Sequence, residues 1–432
     1  GISRTRGSSR ALASCAAAEA HSRMSDDVAV GEEPDYEEKL DEKPRSILMS
    51  MIGQLKSGMD LSRVTLPTFI LEPRSFLEKC ADFMAHGKII ASLRETDDSL
   101  ERFLLVTKWY ISGWHFKPPG VKKPYNPILG EVFQCSWDYG DRGTTHYVAE
   151  QVSHHPPVSA FHFVNRKGGW LMNVALRPKS KFLGNSAASI MEGTGTLHDL
   201  VHKETYDITF PSYYVRGLLI GVMRMEIAGD VAIECPVSGY SLKLSFKNKG
   251  YFKGTNNSVE GKIQKTATGE TVYKLDGRWD KCINITEKKT GKTRVFFDVE
   301  AEKASSFQPP TVDAEANQQY FESRRVWGNV TKGLRTQNVD MATEHKSKLE
   351  DAQRAGKKER DAFGTGWEPK IFKDLTPGQD PTWQMRLCKF DLADGSEEGY
   401  EASVRQLAKT GVLAVGEDLM KELNPEGPSN GH

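Results

Sequence analysis

Two adjacent histidines followed by two adjacent prolines carry the clearest chemical signal in this sequence. They lie in residues 150–159, which read EQVSHHPPVS. A proline disfavours helical geometry in the residue before it and has no backbone N–H, so this run is neither a helix interior nor a central strand. His154 and His155 are therefore presented where a strand ends or begins. Their imidazoles could donate to an anion, bind a metal, serve as a catalytic base with a neighbour, or pack as ordinary polar side chains.

The rest of the sequence favours anion binding over the other uses of the two histidines. Neighbouring histidines in an extended segment point to opposite sides and do not easily share a tetrahedral metal ion, and there is no HExxH motif. No GxSxG elbow, nucleophilic cysteine motif or P-loop is present for a catalytic base to serve. A packed structural role stays open. We expect an anion site, with no metal, no cofactor and no enzyme activity.

The composition excludes several other classes of function. The 432 residues contain 58 Lys plus Arg and 58 Asp plus Glu, so no overall charge attracts nucleic acid or an acidic membrane. Six scattered cysteines without a CxxC pair argue against a zinc ribbon and are typical of a reducing compartment. No apolar run reaches the roughly 18 residues of a membrane span. The sequence thus predicts a cytoplasmic protein without a nucleic-acid partner, in which anion recognition is local.

The amino-terminal part predicts a leader followed by an amphipathic helix. Residues 1–44 are expected to be a disordered leader, and Met24 is an alternative natural start that would make the preceding residues artefactual. Order begins near Arg45, and a stop signal follows at Gly58. Between them, apolar residues recur at helical spacing: Leu48, Met51, Ile52, Leu55 and Met59. Such a methionine-bearing face is usually core, but it also suits a lid that releases and re-packs.

From about residue 133 to residue 298, apolar residues recur at every second position. Segments of this kind, separated by glycine-containing turns, predict an extensive antiparallel sheet, as a barrel or a sandwich. Phe161 and Phe163 lie on one face of their segment, and Val158 and Val164 lie on the other. A barrel covered outside by helices and lined inside by apolar groups produces that pattern, and an apolar lumen suits a hydrophobic ligand. The predicted fold class is α+β, mainly β.

Helical patterns flank this sheet region on both sides. One of them predicts a core helix before the sheet, with apolar positions Leu100, Phe103, Leu104, Thr107 and Ile111. After the sheet, a polar helix over about 341–360 places Lys346, Glu350 and Arg354 at successive i+4 steps. From spacing alone this is an exposed charge ladder that contributes about 0.2–0.5 kcal/mol per pair. Residues 387–432 are expected to be a weakly structured tail.

Two motifs resemble those of a known family. Residues 150–161 resemble the signature of the oxysterol-binding-protein-related family of lipid-transfer proteins, and residues 122–131 (KKPYNPILGE) resemble its second strong motif. The resemblance runs in the expected order from about Ile47 to Trp383. Residues 66–75 (LPTFILEPRS) and Ser180 are similar to the branch of the family that carries phosphatidylserine rather than sterol.

This resemblance implies a fold and a set of binding residues. The fold is a large, near-closed antiparallel β-barrel within residues 45–386, with an amino-terminal lid at 45–65 and a helical region from about residue 315. Phosphatidylinositol 4-phosphate is held with its acyl chains in the barrel and its headgroup at the entrance. The implied headgroup residues are Lys123, Asn126, His154, His155, Lys346, Glu350 and Arg354. The last three are those that spacing alone interprets as an exposed charge ladder. The implied second-lipid residues are Leu66, Thr68, Ile70 and Ser180.

The resemblance also implies a function and a location. We expect a monomeric lipid-transfer protein that exchanges phosphatidylserine for phosphatidylinositol 4-phosphate, one lipid at a time, through transient contact with membrane surfaces. Its expected location is the cytoplasm, peripheral at contact sites between endoplasmic reticulum and plasma membrane. A sterol exchanger on the same fold, a lipid sensor that does not transport, and a phosphoinositide hydrolase that uses the histidines are the alternatives.

Overall fold

Alternating apolar residues build one antiparallel sheet that dominates the chain. The computed structural model describes residues 37–61, 64, 66–116, 120–248, 255–376, 382–393 and 396–423. The strands within these ranges are β1 (Glu37–Lys39), β2 (Leu71–Ser75), β3 (Lys123–Tyr125), β4 (Val132–Asp138), β5 (Thr144–His154), β6 (Pro157–Asn165), β7 (Trp170–Phe182), β8 (Ser186–Asp199), β9 (Glu204–Thr209), β10 (Ser212–Arg216), β11 (Val222–Cys235), β12 (Tyr240–Lys247), β13 (Ser258–Lys265), β14 (Thr271–Arg278), β15 (Cys282–Glu287), β16 (Thr293–Asp298), β17 (Phe372–Asp374) and β18 (Trp383–Met385).

Helices precede and follow this sheet. They are α1 (Glu42–Ile52), α2 (Phe76–Ala81), α3 (Ser99–Ser112), α4 (Val299–Ser305), α5 (Ser323–Val326), α6 (Gly328–Arg335), α7 (Val339–Phe363), α8 (Glu397–Ala408) and α9 (Glu417–Leu423). None of the helices in the described parts of the chain has both the length and the apolar character needed to cross a bilayer.

The sheet has 14 strands within the described ranges, and its order follows the chain closely. The path runs β16-β15-β14-β13-β12-β11-β10-β8-β7-β6-β5-β4, with β1 paired to β11 and β9 paired to both β8 and β11. Neighbouring strands on this path pair antiparallel. The predicted antiparallel sheet between about residues 133 and 298 is confirmed.

The two faces of the sheet are both buried, as the sequence pattern predicted for β6. Phe161 and Phe163 belong to the core inside the curved sheet. Val158 and Val164 belong to a second core, which lies between the outer face and the carboxy-terminal helices. Because successive side chains of a strand point to opposite faces, one short segment contributes to both cores.

Helix α3 fills one end of the space that the sheet encloses. It packs against both β12 and β16, and the Tyr110 hydroxyl donates to the Thr209 carbonyl on β9 at 2.8 Å. Arg102 also forms a buried ion pair with Glu204 of β9, at 2.6 Å. One helix can reach three distant strands only if the sheet curves around it. The predicted near-closed barrel with helices at both ends is confirmed in this sense.

The amino-terminal helix closes the other end, and order begins earlier than predicted. Residues 37–44, expected to be leader, form β1 on the edge of β11 and the first turn of α1. Leu48 and Ile52 are buried, as the helical spacing predicted, whereas Met59 is 41% exposed. Helix α1 ends at Ile52, before the stop signal expected at Gly58. The predicted leader residues 1–36 lie outside the described residues.

The prediction of a weakly structured tail is wrong for residues 396–423. Helices α8 and α9 pack on the outer core through Tyr400, Val404 and Met420, all of which are buried. Tyr400 and Val404 lie four residues apart and therefore share one helical face. The apolar stripe is short, and its partner surface lies on strands more than two hundred residues earlier in the chain, which explains why the sequence pattern missed it.

Candidate lipid-binding site

The inner face of the sheet and helix α1 enclose a cavity of about 380 Å³, within the roughly 300–1,000 Å³ typical of ligand pockets. Its walls are mainly apolar and come from strands on several sides, among them Phe161, Met172, Val174, Leu176, Phe182, Met223, Met225 and Ile227. On the lid side the lining residues are Leu48, Met51, Ile52 and Leu55 of α1. Hydrophobic burial therefore favours a long apolar ligand in this space.

Backbone hydrogen bonds hold the lid segment after α1 against the end of β7. Gly58 N–H donates to the Phe182 carbonyl at 2.7 Å, and Phe182 N–H donates to the Met59 carbonyl at 2.9 Å. Leu61 N–H donates to the Ser180 carbonyl at 2.9 Å. The lid is thus attached as a short extension of the sheet and covers one side of the cavity.

Polar side chains from three distant parts of the chain meet at one end of the cavity. Lys123 and Asn126 come from β3 and the loop after it, and Lys346 and Glu350 come from α7. The turn between β5 and β6 contributes His154 and His155. Six of the seven predicted headgroup residues therefore line one cavity: Lys123, Asn126, His154, His155, Lys346 and Glu350.

The two histidines occupy the end of a hairpin, as the proline argument predicted. Strand β5 ends at His154 and β6 begins at Pro157, so His155 and Pro156 form the turn. The two imidazole rings are in edge-to-face contact with centroids 4.4 Å apart. The expectation that they point to opposite sides is wrong, because a turn replaces the extended geometry on which it rested. Within the described ranges, no group of three or more His, Cys, Asp or Glu side chains is placed to hold a metal ion.

His154 is held by two amide side chains. Its Nε2 lies 2.7 Å from the Gln353 side-chain nitrogen and 3.3 Å from that of Asn126. The Gln353 carbonyl oxygen accepts from Leu129 N–H at 2.7 Å, which orients the Gln353 amide nitrogen towards the imidazole. His154 therefore accepts at Nε2, as a neutral imidazole does. Consistent with this, burial, with a smaller contribution from His155, lowers the pKa of His154 to about 4.

The cationic groups of the site are only partly neutralised. Lys346 is buried and forms an ion pair with Glu350 at 2.7 Å. The Lys123 ammonium group makes no hydrogen bond or ion pair with the residues that the structure describes. Its accessible surface faces the cavity, where protein atoms surround it, and this burial lowers its pKa; nearby Lys346 acts in the same direction and Glu350 opposes it. Two ammonium groups share one carboxylate, so an anionic group of a ligand would complete the charge balance.

Arg354, the seventh predicted headgroup residue, lies outside the cavity lining. It is exposed and donates to Asp351 at 2.5 Å. At about 100° per residue, position 354 is rotated by about 80° from Lys346, whereas position 353 is rotated by only about 20°. Gln353 therefore shares the inward face with Lys346, and a step of eight residues places Arg354 beside that face. The headgroup role of Arg354 stays a prediction.

Of the four predicted second-lipid residues, three line the cavity and one does not. Leu66, Ile70 and Ser180 line the cavity. Thr68 is buried but not part of the lining, and its hydroxyl is hydrogen-bonded to the Thr343 hydroxyl of α7 at 2.8 Å. Thr68 thus connects the lid region to the helix that carries Lys346.

Glu150, the acidic residue of the histidine motif, has a structural role. Glu150 is buried and accepts hydrogen bonds from the backbone N–H groups of Lys370, Ile371 and Phe372, at 2.8–3.1 Å. Burial raises the pKa of this carboxyl group, and the three donors oppose the rise. Glu150 therefore anchors the carboxy-terminal segment to β5, on the side away from the cavity.

An apolar chamber with cations at one end is complementary to an amphipathic anion. Residues 50–391 match the family described as Oxysterol-binding protein, and the chain belongs to that family. The chain is similar to Oxysterol-binding protein 4 of Dictyostelium discoideum, with 42% identity over 371 residues, 84% of this chain and 78% of the relative. The predicted family resemblance is confirmed.

A further relative and two solved structures are also similar to this chain. Oxysterol-binding protein-related protein 5 of Mus musculus is 43% identical over 340 residues, which are 78% of this chain and 38% of the relative. The Osh1 ORD domain in complex with ergosterol has a TM-score of 0.68 at 22% identity, covering 94% of this chain and 98% of that one. The Osh3 ORD of Saccharomyces cerevisiae in complex with PI(4)P has a TM-score of 0.61 at 22% identity, covering 86% and 95%. At this identity the two structures support the fold.

Proposed function

We propose that this protein exchanges phosphatidylserine for phosphatidylinositol 4-phosphate between membranes and holds one lipid at a time in the cavity. The observation that carries the proposal is the meeting of Lys123, Lys346 and His154 at the mouth of an apolar chamber. Acyl chains would occupy the chamber, since each buried methylene contributes about 0.8 kcal/mol. The phosphorylated headgroup would remain at the mouth.

The mouth suits a phosphate monoester better than a neutral headgroup. Lys123 and Lys346 supply positive charge around a single carboxylate, that of Glu350. Charge-assisted hydrogen bonds to phosphate are stronger than neutral ones, and inositol hydroxyls could donate to Glu350. A neutral imidazole still donates one proton, so His154 and His155 would each donate to the phosphate from the ring nitrogen that carries hydrogen. Arg354 would take part only if its side chain left Asp351 and turned towards the mouth.

Phosphatidylserine is the proposed second lipid because of the residues that line the wall beneath the lid. Ser180 offers a hydroxyl to a polar headgroup, and Leu66 and Ile70 offer apolar contact to the adjoining chains. Both lipids would use the same chamber, so they would compete. A gradient of the phosphoinositide could then drive phosphatidylserine transport in the opposite direction, with no covalent bond made or broken by the protein.

A two-liposome exchange assay tests the proposal. Donor vesicles carry phosphatidylserine, acceptor vesicles carry phosphatidylinositol 4-phosphate, and a separate fluorescent reporter follows each lipid. We expect transfer of each lipid in opposite directions, with phosphatidylserine transfer accelerated by phosphoinositide in the acceptor. Sterol transfer exceeding phosphatidylserine transfer would select the sterol alternative. Tight extraction without net transport would select a lipid sensor.

The histidine pair provides the decisive variant. His154→Ala with His155→Ala should abolish phosphoinositide extraction while phosphatidylserine uptake persists. His202→Ala is the matched control, because His202 is bonded to Asp199 in the turn after β8 and is not part of the cavity lining. Normal phosphoinositide extraction by the double variant would refute the headgroup assignment. Mass spectrometry of the recovered lipid should show it chemically unchanged, and a hydrolysed product would instead support an enzyme.

A further inference from the structure

The carboxy-terminal segment 411–423 lies beyond the residues that match the family, yet it contacts the back of the proposed phosphate site. Ala414 N–H donates to the Leu129 carbonyl at 2.9 Å. Leu129 N–H in turn donates to the Gln353 side chain at 2.7 Å, and the Gln353 amide lies 2.7 Å from His154 Nε2. A continuous series of hydrogen bonds therefore leads from the tail to the imidazole.

Close packing accompanies these hydrogen bonds. Gly130 has a φ of 83°, and a Cβ atom at this position would lie 2.0 Å from the Val412 carbonyl oxygen. A Cβ atom at Gly411 would lie 2.7 Å from the Phe321 ring. The tail backbone thus lies directly on the loop between β3 and β4, and glycine is required where the two segments meet because no side chain fits.

Helix α9 fixes the end of this segment. Met420 and Leu423 are buried in the outer core, which also contains Val330 of α6 and Leu349 of α7. The Leu423 carbonyl accepts a hydrogen bond from the Asn329 side chain. Helix α7 carries Lys346 and Gln353, so the same segment supports the helix and the loop that approach His154.

We propose that residues 411–423 and Gln353 act as a brace that sets the geometry of the anion site from outside the cavity. Gln353 is a positioning residue in this arrangement, because it orients His154. The proposal rests on the function proposed above, in which His154 contacts the lipid phosphate. It predicts that loosening the brace weakens recognition of the phosphorylated headgroup and leaves the apolar chamber intact.

Two variants test the brace in the full-length protein. Met420→Lys with Leu423→Lys places charges in the outer core and detaches α9, and Glu422→Lys is the matched control on the exposed side of the same helix. Gln353→Met removes both amide hydrogen bonds at similar volume and needs no unfolding of the tail. We expect each test variant to lower phosphoinositide extraction by about tenfold, the effect of losing one well-oriented hydrogen bond to the binding group. Phosphatidylserine uptake should stay within about twofold of wild type.

A second measurement separates positioning from a loss of general stability. The His154 imidazole is titrated by NMR in the ligand-free protein and with inorganic phosphate as the probe. We expect its titration to move towards that of an ordinary histidine in both test variants and not in Glu422→Lys. The brace is refuted if binding of the two lipids falls in parallel, if binding of neither lipid falls, or if the His154 titration is unchanged. If wild type extracts no phosphoinositide, the function proposed above fails, and the titration still decides whether the brace acts on His154.

Discussion

His154 and Gln353 are 199 residues apart in the chain, yet their side-chain nitrogens lie 2.7 Å apart. This contact joins the hairpin turn that ends β5 to helix α7. Because Leu129 fixes the other end of the Gln353 amide, the imidazole is held neutral and oriented before any ligand enters. The mouth of the cavity is therefore preorganised, which lowers the entropic cost of binding.

Lys346 and Lys348 provide a matched pair of lysines for testing the charge at the mouth. Lys346 is buried and bonded to Glu350 at 2.7 Å, whereas Lys348 is exposed and bonded to Glu344 at 2.8 Å. We expect Lys346→Ala to reduce phosphoinositide extraction from liposomes by about 10- to 100-fold, the effect of losing a charge-assisted hydrogen bond. Lys348→Ala should bind as wild type. Equal losses in the two variants would show that helix stability, rather than contact with the lipid, is responsible.

Arg354→Ala tests whether the face of α7 seen in the structure is the face that binds. Arg354 is exposed and paired with Asp351, an interaction that contributes about 0.3–0.5 kcal/mol at a helix surface. We expect a loss of less than about threefold in phosphoinositide affinity, measured in the same extraction assay as Lys346→Ala. A loss as large as that of Lys346→Ala would mean that Arg354 turns inward when lipid binds.

Ser180→Ala tests the proposed second-lipid site without adding bulk. The Ser180 side chain lines the cavity, while its backbone carbonyl holds the lid through Leu61 and is unaffected by the substitution. We expect phosphatidylserine transfer to fall by about three- to tenfold, the effect of one neutral hydrogen bond, with phosphoinositide extraction nearly unchanged. Thr68→Ala is the comparison, because its hydroxyl bonds to Thr343 and does not line the cavity. Thr68→Ala should weaken both lipids together by loosening the lid, and an equal loss of both lipids in Ser180→Ala would argue against a selective role.

Local patterns made the sheet and the histidine turn predictable from sequence. Alternation with period two reports directly which residues face each core, as Phe161 and Val158 show. Pro156 lies in the turn between β5 and β6, and Pro157 is tolerated because it is the first residue of β6. These features depend on a few neighbouring residues, so the sequence alone is sufficient to predict them.

Features that depend on how distant elements are oriented were not predictable in this way. The helical period over 341–360 is compatible with either Gln353 or Arg354 facing inward, and only the packing of α7 against the loop at Leu129 decides between them. The contact between Gly130 and the tail at Val412 is equally invisible, because a glycine in a motif does not indicate which segment approaches it. In both cases tertiary packing determines which residues come into contact.

Four histidines with restricted access to water make the stability of the fold sensitive to acid. Burial lowers the pKa to about 4 for His86, to about 3 for His115, and to about 4 for both His154 and His162. An unfolded histidine has an ordinary pKa of about 6.5, so between about pH 6.5 and pH 4 the unfolded chain binds protons that the native state does not. The contribution of each group is fully favourable above pH 6.5 and is lost as the pH falls towards 4, by up to about 1.4 kcal/mol per pH unit.

His162→Asn isolates one of these groups. His162 is fully buried and bonded to Asn173 at 2.8 Å, and an asparagine retains a donor of similar reach. The free energy of unfolding in urea is measured for wild type and variant at pH 7.5, 6.5 and 5.5. Below pH 6.5 the variant should lose less stability, because its unfolding takes up about one proton fewer. Buried carboxyl groups such as Glu131 and Glu150, whose pKa burial raises, change stability in the opposite direction but are common to both proteins. Parallel pH profiles for the two proteins would mean that His162 becomes protonated in the native state near its ordinary pKa.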